Sequence, residues 1–259
     1  MFCGLPEKRK SELRRAGVFH PGLRGGIVPG KRSVDRRTDS RSFGSFGHRE
    51  IRKMKHTDWE RYYTEPLPTA YPARAVIRRN LLRLIRETEL KEGFSAAEFG
   101  GGGSCFCGAV KKAFRPGKYT VYDSCQAGIA AFLRKHPSDK AVLADLLKNT
   151  PDEKYDLVFS VGMIEHFSPE ETAKLIRIHF ETAKPDGFVI LLFPTPTVLY
   201  RITRRLSEIL GLWQFPDERP IKPEEIRKTA DRYGVFLKGH VIRANILSQY
   251  AILYRKAQK

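Results

Sequence analysis

The residues best suited to chemistry lie in one short run, Glu98-Phe99-Gly100-Gly101-Gly102-Gly103-Ser104, with Asp123 following after about 20 residues. Glycines between a strand and a helix let backbone approach a ligand closely, because they carry no side chain and tolerate unusual dihedral angles. A nicotinamide dinucleotide would seat its pyrophosphate on such a loop, at the N-terminus of the following helix. Glu98 opposes that reading, since a carboxylate beside the loop repels a pyrophosphate and suits a cationic, amino-acid-like group. Asp123 stands where an acidic side chain reaches a ribose diol as a paired acceptor. His166 follows a later apolar run and is the side chain best placed by sequence to act as a general base on a hydroxyl.

These residues need elements to hold them. Short apolar runs alternate with helical patterns, the rhythm of a parallel α/β sheet. Strands are predicted over 95–99, 118–122, 141–144, 155–161 and 188–193, with helices over 75–90, 105–114, 126–135 and 169–184. The last helix has a marked start in Ser168-Pro169-Glu170-Glu171, with a capping Ser, Pro at the first helical position and Glu at the third. Further helices are expected over 198–213 and 223–233, and a closing antiparallel pair over 236–241 and 250–254. The fold class is therefore α/β: a Rossmann-like, seven-stranded, mainly parallel sheet with helices on both faces and a C-terminal antiparallel strand pair.

The net charge is +18, and residues 1–53 carry half of it. That stretch is rich in Arg, Gly and Ser without apolar period, and is expected to be a disordered basic extension. An RNA-binding arm or a targeting peptide would share its composition. Patterned sequence opens at Met54, the expected true start, so the domain is placed at 54–259, with an aromatic segment over 54–74 that is either a lid or a clamp. The four cysteines form no CxxC pair and have no adjacent histidine, so no metal is expected and a reducing cytoplasm is the natural compartment. No run of apolar residues is long enough to span a membrane.

Taken in order, these motifs resemble those of class I methyltransferases that use S-adenosylmethionine (SAM): an acidic residue before G-x-G-x-G, with Ser104 replacing the last glycine, then Asp123, then Asp145 after the third strand. The run Tyr155-Asp156-Leu157-Val158-Phe159-Ser160-Val161-Gly162-Met163-Ile164-Glu165-His166-Phe167 resembles the family's fourth motif, and its Glu-His pair is similar to that of small-molecule methyltransferases of the ubiquinone-biosynthesis type. Ala183-Lys184-Pro185-Asp186-Gly187 before the fifth strand also fits. The resemblance implies SAM as cofactor, held by Glu98, Gly100, Gly101, Gly102, Asp123, Asp145, Leu146, Ser160 and Val161, and a small-molecule acceptor methylated at a hydroxyl.

Tyr63, Tyr71 and Arg201 are the candidate acceptor-binding residues, the last on an inserted, lid-like helix over 198–216 whose three arginines suit an anionic or lipid-linked acceptor. An RNA methyltransferase would account for the charge, so nucleic acid is a possible partner through the basic tail. The chain lacks an Asn/Asp-Pro-Pro-Tyr/Phe motif and a Pro-Cys nucleophile, however. A non-catalytic SAM-binding scaffold is the third alternative, opposed by the intact Glu98, glycines and Asp123.

Overall fold

The central strands Ser95–Phe99, Tyr155–Val161 and Ala183–Pro194 are mostly apolar and buried, because the sheet is covered on both faces. The computed structural model describes residues 56–65, 71–244 and 247–258. Its strands are β1 (Ser95–Phe99), β2 (Lys118–Asp123), β3 (Lys140–Leu143), β4 (Tyr155–Val161), β5 (Ala183–Pro194), β6 (Gly234–Ala244) and β7 (Leu247–Lys256). The helices are α1 (Trp59–Thr64), α2 (Tyr71–Arg86), α3 (Cys107–Phe114), α4 (Gln126–Lys135), α5 (Pro169–Thr182), α6 (Val198–Ile209) and α7 (Pro223–Ala230).

Strand order is β3-β2-β1-β4-β5-β7-β6. The first five strands in that order pair in parallel, while β7 runs antiparallel to both β5 and β6. The expected seven-stranded sheet is therefore present. Along β5, Phe188, Ile190 and Leu192 pack into one layer with α2, α3 and α4, and Val189, Leu191 and Phe193 pack into the other with α5 and α7. Each such side chain, fully buried, stabilises the fold by about 1.5–3 kcal/mol.

Several boundaries differ from expectation for local reasons. Helix α2 lies about four residues earlier than predicted. The Thr88 hydroxyl takes the Ile85 carbonyl at 2.7 Å and Glu89 turns to a φ of 55°, which ends the helix. Helix α3 starts at Cys107 because Ser104 Oγ accepts from the Phe106 and Cys107 amides at 3.0 and 3.1 Å, capping it. Helix α6 stops at Ile209, just before Gly211 with a φ of 67°. At α5 the predicted capping box is present: Ser168 Oγ accepts from the Glu171 amide at 3.3 Å and Glu171 Oε2 from the Ser168 amide at 3.0 Å. The expectations for the basic extension fall on residues outside those described.

Candidate active site

The chain leaves β1 to build β2 and β3 on one side and then returns to build β4 and β5 on the other. In such sheets, the crevice at the carboxyl ends of the strands beside this switch is where ligands bind. Glu98, Asp123 and Ser160 stand at the ends of β1, β2 and β4, so all three border that crevice.

Gly100 and Gly103 have φ of 67° and 64°, values that L side chains rarely adopt. Gly101 and Gly102 are small for a different reason. A Cβ on Gly101 would lie 2.7 Å from the Glu98 carboxyl carbon, and one on Gly102 would lie 2.7 Å from Asp123 Oδ2 and 2.8 Å from Gly128 Cα. The loop is thus wrapped around two carboxylates.

Glu98 is buried and accepts a hydrogen bond from the Tyr119 hydroxyl, with no cationic partner among the described residues. Burial pushes its pKa up to about 7. Asp123 accepts from the Gly102 amide and the Cys125 amide, each at 2.7 Å, and from the Tyr63 hydroxyl at 3.2 Å. Burial still raises its pKa. Tyr63, expected against the acceptor, lies on the glycine loop, its ring closing over Gly102, Gly103 and Gly128. Tyr71 begins α2, and its side chain is outside the described part.

Across the crevice, His166 Nδ1 lies 2.9 Å from Asp217 Oδ1. Asp217 in turn accepts from the Thr57 amide at 3.0 Å and from the Thr57 hydroxyl. Burial raises the Asp217 pKa, but the bonds from Thr57 and His166 outweigh it and hold the carboxyl below its usual range. Burial lowers the pKa of His166, against the pull of Asp217, so the ring is neutral near pH 7. An ionised carboxylate only accepts, so Nδ1 carries the proton and Nε2 keeps a lone pair. Nε2 has no hydrogen bond among the described residues. The ring is walled by Trp59, with centroids 4.8 Å apart, and by Phe215 at 5.8 Å.

A family model described as Methyltransferase domain matches residues 70–234, well over half of the chain. The chain belongs to that methyltransferase family. No curated protein sequence matches it. Among solved structures, it is similar to the N-methyltransferase NodS from Bradyrhizobium japonicum WM9 in complex with S-adenosyl-L-homocysteine (SAH), at 12% identity and a TM-score of 0.58, covering 76% of this chain and 92% of that one. The magnesium protoporphyrin IX methyltransferase ChlM from Synechocystis PCC 6803, with bound SAH, is 16% identical with a TM-score of 0.61, covering 77% and 93%. The cyclopropane synthase MmaA2 from Mycobacterium tuberculosis is 12% identical with a TM-score of 0.54, covering 68% and 86%. At these identities the likeness is one of fold.

The remaining predicted positions of the methyltransferase are placed as follows. Asp145 accepts from the Leu147 amide at 3.0 Å and pairs with Lys148 at 2.9 Å, while Leu146 is buried. Ser160 is turned into the layer beneath: His179 Nδ1 lies 2.8 Å from the Leu175 carbonyl, so it donates there, and Nε2 accepts from the Ser160 hydroxyl at 3.0 Å. Val161 packs against the α2-side core. Arg201 is exposed on α6.

Folding also assembles groups that spacing does not predict. Asp139 and His136 meet Cys107, but Lys111 Nζ bonds both Asp139 oxygens, at 2.7 and 2.8 Å, and already supplies the positive charge. Glu218 meets Glu165 and His166. Burial raises the pKa of Glu165 well above the usual range and that of Glu218 to about 7, so both hold their protons more tightly than free carboxyls. Asp217 and Thr57 escape sequence reasoning because nothing local marks them; Asp217 is 51 residues from the histidine it holds.

Proposed function

We propose that this methyltransferase moves a methyl group from SAM to a hydroxyl of a small-molecule acceptor. The observation that carries the reading is the side-chain-free loop wrapped between Glu98 and Asp123 at the switch point of the sheet. Its residues fit the cofactor: Glu98 is buried without a cation to balance it, as the amino group of a methionine moiety would, and Asp123 stands at the ribose position once Tyr63 withdraws. Gly100, Gly101 and Gly102 leave room for the chain between them. Leu146 supplies an apolar wall for adenine, and Asp145, Val161 and the backbone at Ser160 border the base.

When bound, SAM supplies a sulfonium methyl group that is open to in-line attack. The chain's work is to position the acceptor, exclude water and accept the proton. Trp59 and Phe215 exclude water around His166, and Nε2 takes the hydroxyl proton as Asp217 stabilises the resulting imidazolium. Tyr71 and Arg201 lie on elements beside the acceptor, with Arg201 offering a cation to an acidic group. The free thiols of Cys105, Cys107 and Cys125 suit a reducing cytoplasm.

Calorimetric titration of the full chain with SAM tests this first. Saturable binding weakened by Glu98→Ala and by Asp123→Ala is expected, followed by methyl transfer to hydroxylated metabolites. A folded chain that does not bind SAM would overturn the proposal. Transfer to RNA in place of metabolites would move the acceptor to the second reading that the +18 charge favours.

A further inference from the structure

Helix α6 carries its apolar side outward. Tyr200 and Thr203 form its buried side, together with the half-buried Arg204 and Ser207. The exposed large residues are Val198, Leu199, Ile202, Leu206, Ile209 and Leu210, and three of them, Val198, Ile209 and Leu210, are 74, 67 and 68% exposed. At roughly 100° per residue, Val198, Ile202, Leu206 and Ile209 fall within about 80° of one another, and Leu199 and Leu210 extend the same stripe. Single apolar residues are ordinary on a protein surface, but a continuous stripe along a three-turn helix marks an interaction surface.

The charges beside the stripe indicate what covers it. Arg201 and Arg205 follow its Val198–Ile209 edge, within roughly a turn's quadrant of it. Arg201 is exposed and has no acidic partner among the described residues, and Arg205 is 75% exposed with Glu208 3.8 Å away. The chain as a whole carries +18. Pairing two copies through this face would juxtapose their arginines in two already cationic molecules. An anionic lipid surface attracts the same charges, lets the apolar side chains enter the acyl boundary and lets the arginines reach the phosphates.

We propose that α6 docks the protein on an anionic phospholipid bilayer, with Val198, Ile202, Leu206 and Ile209 inserted and Arg201 and Arg205 at the headgroups. The docked helix is joined to the site. The Tyr200 hydroxyl bonds the Glu218 carboxylate and Arg204 donates to the Glu218 carbonyl at 2.6 Å, next to the Asp217 that holds His166. If the methyl-transfer reading holds, the acceptor is then an amphiphile held in the bilayer.

Flotation of the full chain with phosphatidylcholine vesicles, with and without phosphatidylglycerol, tests the docking without any acceptor. Binding to the anionic vesicles is expected, and the double variant Leu206→Glu/Ile209→Glu should lower it by about tenfold or more. Both side chains are exposed, so the melting temperature and the SAM titration of the variant should stay those of the parent. Arg201→Ala/Arg205→Ala should weaken binding to anionic vesicles while leaving the weak binding to neutral ones unchanged. Absence of vesicle binding overturns the proposal. So does anionic-vesicle binding that survives Leu206→Glu/Ile209→Glu, which would assign it to charge alone. A lipid-free dimer that this variant dissociates would assign the face to a second copy. SAM binding is read without vesicles, so loss of the docking proposal leaves the methyl-transfer reading standing, and the reverse.

Discussion

The Tyr63 hydroxyl donates to Asp123 Oδ2 at 3.2 Å, on the carboxylate that the sequence marks for a ribose. The phenol brings α1 down over the glycine loop, where the Glu60 carboxylate also accepts from Cys125 Sγ at 3.4 Å. A ribose bound at Asp123, as proposed, would compete with Tyr63 for one acceptor atom. Because the phenol is buried against Asp123, its pKa is raised and it stays a donor at all ordinary pH.

Tyr63→Phe removes that competition and keeps the ring. A hydrogen bond to a charged group contributes about 1.5–3 kcal/mol, so SAM should bind about tenfold or more tightly to the variant. Calorimetry against the parent chain reads the change, and weaker binding would mean that the hydroxyl holds the cofactor itself.

Gly102→Ala should damage the loop. The new methyl would meet Gly128 Cα at 2.8 Å and Asp123 Oδ2 at 2.7 Å, and the first of these is backbone. Overpacking of this kind costs about 1–3 kcal/mol. A lower melting temperature together with loss of SAM binding is expected; a variant that binds normally would show that the loop opens freely.

Glu98 has its folded pKa raised from 4.5 to about 7. A raised carboxyl contributes stability that is complete below its unfolded pKa and is lost as pH rises through the folded one, so this part of the stability should fall between about pH 4.5 and 7. Glu98→Gln should flatten that slope in thermal melts. A ligand cation placed on Glu98 would drive it to ionise, so titration at pH 6.5 should release a proton, seen as a buffer-dependent enthalpy that the Gln variant lacks.

His166 must be neutral to act as a base, and burial holds its pKa below 6.5. The rate of methyl transfer should rise with pH through a value below 6.5 and then plateau. Asp217→Asn removes the charge that supports the imidazolium and should lower kcat by about a hundredfold, with KM nearly unchanged. A pH profile without that limb would remove His166 from the chemistry.

The parts of this protein that the sequence by itself determined are those written in local order. Short apolar runs packed on both faces define β1 to β5, Ser168 and Glu171 start α5, and the glycines between Glu98 and Asp123 mark the loop, because each depends on residues adjacent or a few positions apart. Only the tertiary structure decided which distant groups meet. Asp217 reaches His166 from the segment after α6, Thr57 fixes Asp217 from 160 residues away, and Tyr63 lands on the glycine loop and on Asp123. No periodicity records such meetings, since a side chain's partner across the fold is set by how the helices settle on the sheet. The outward stripe of α6 belongs to the same class: its amphipathic pattern is plain in the sequence, but which side faces the protein was decided by the burial of Tyr200 and its bond to Glu218.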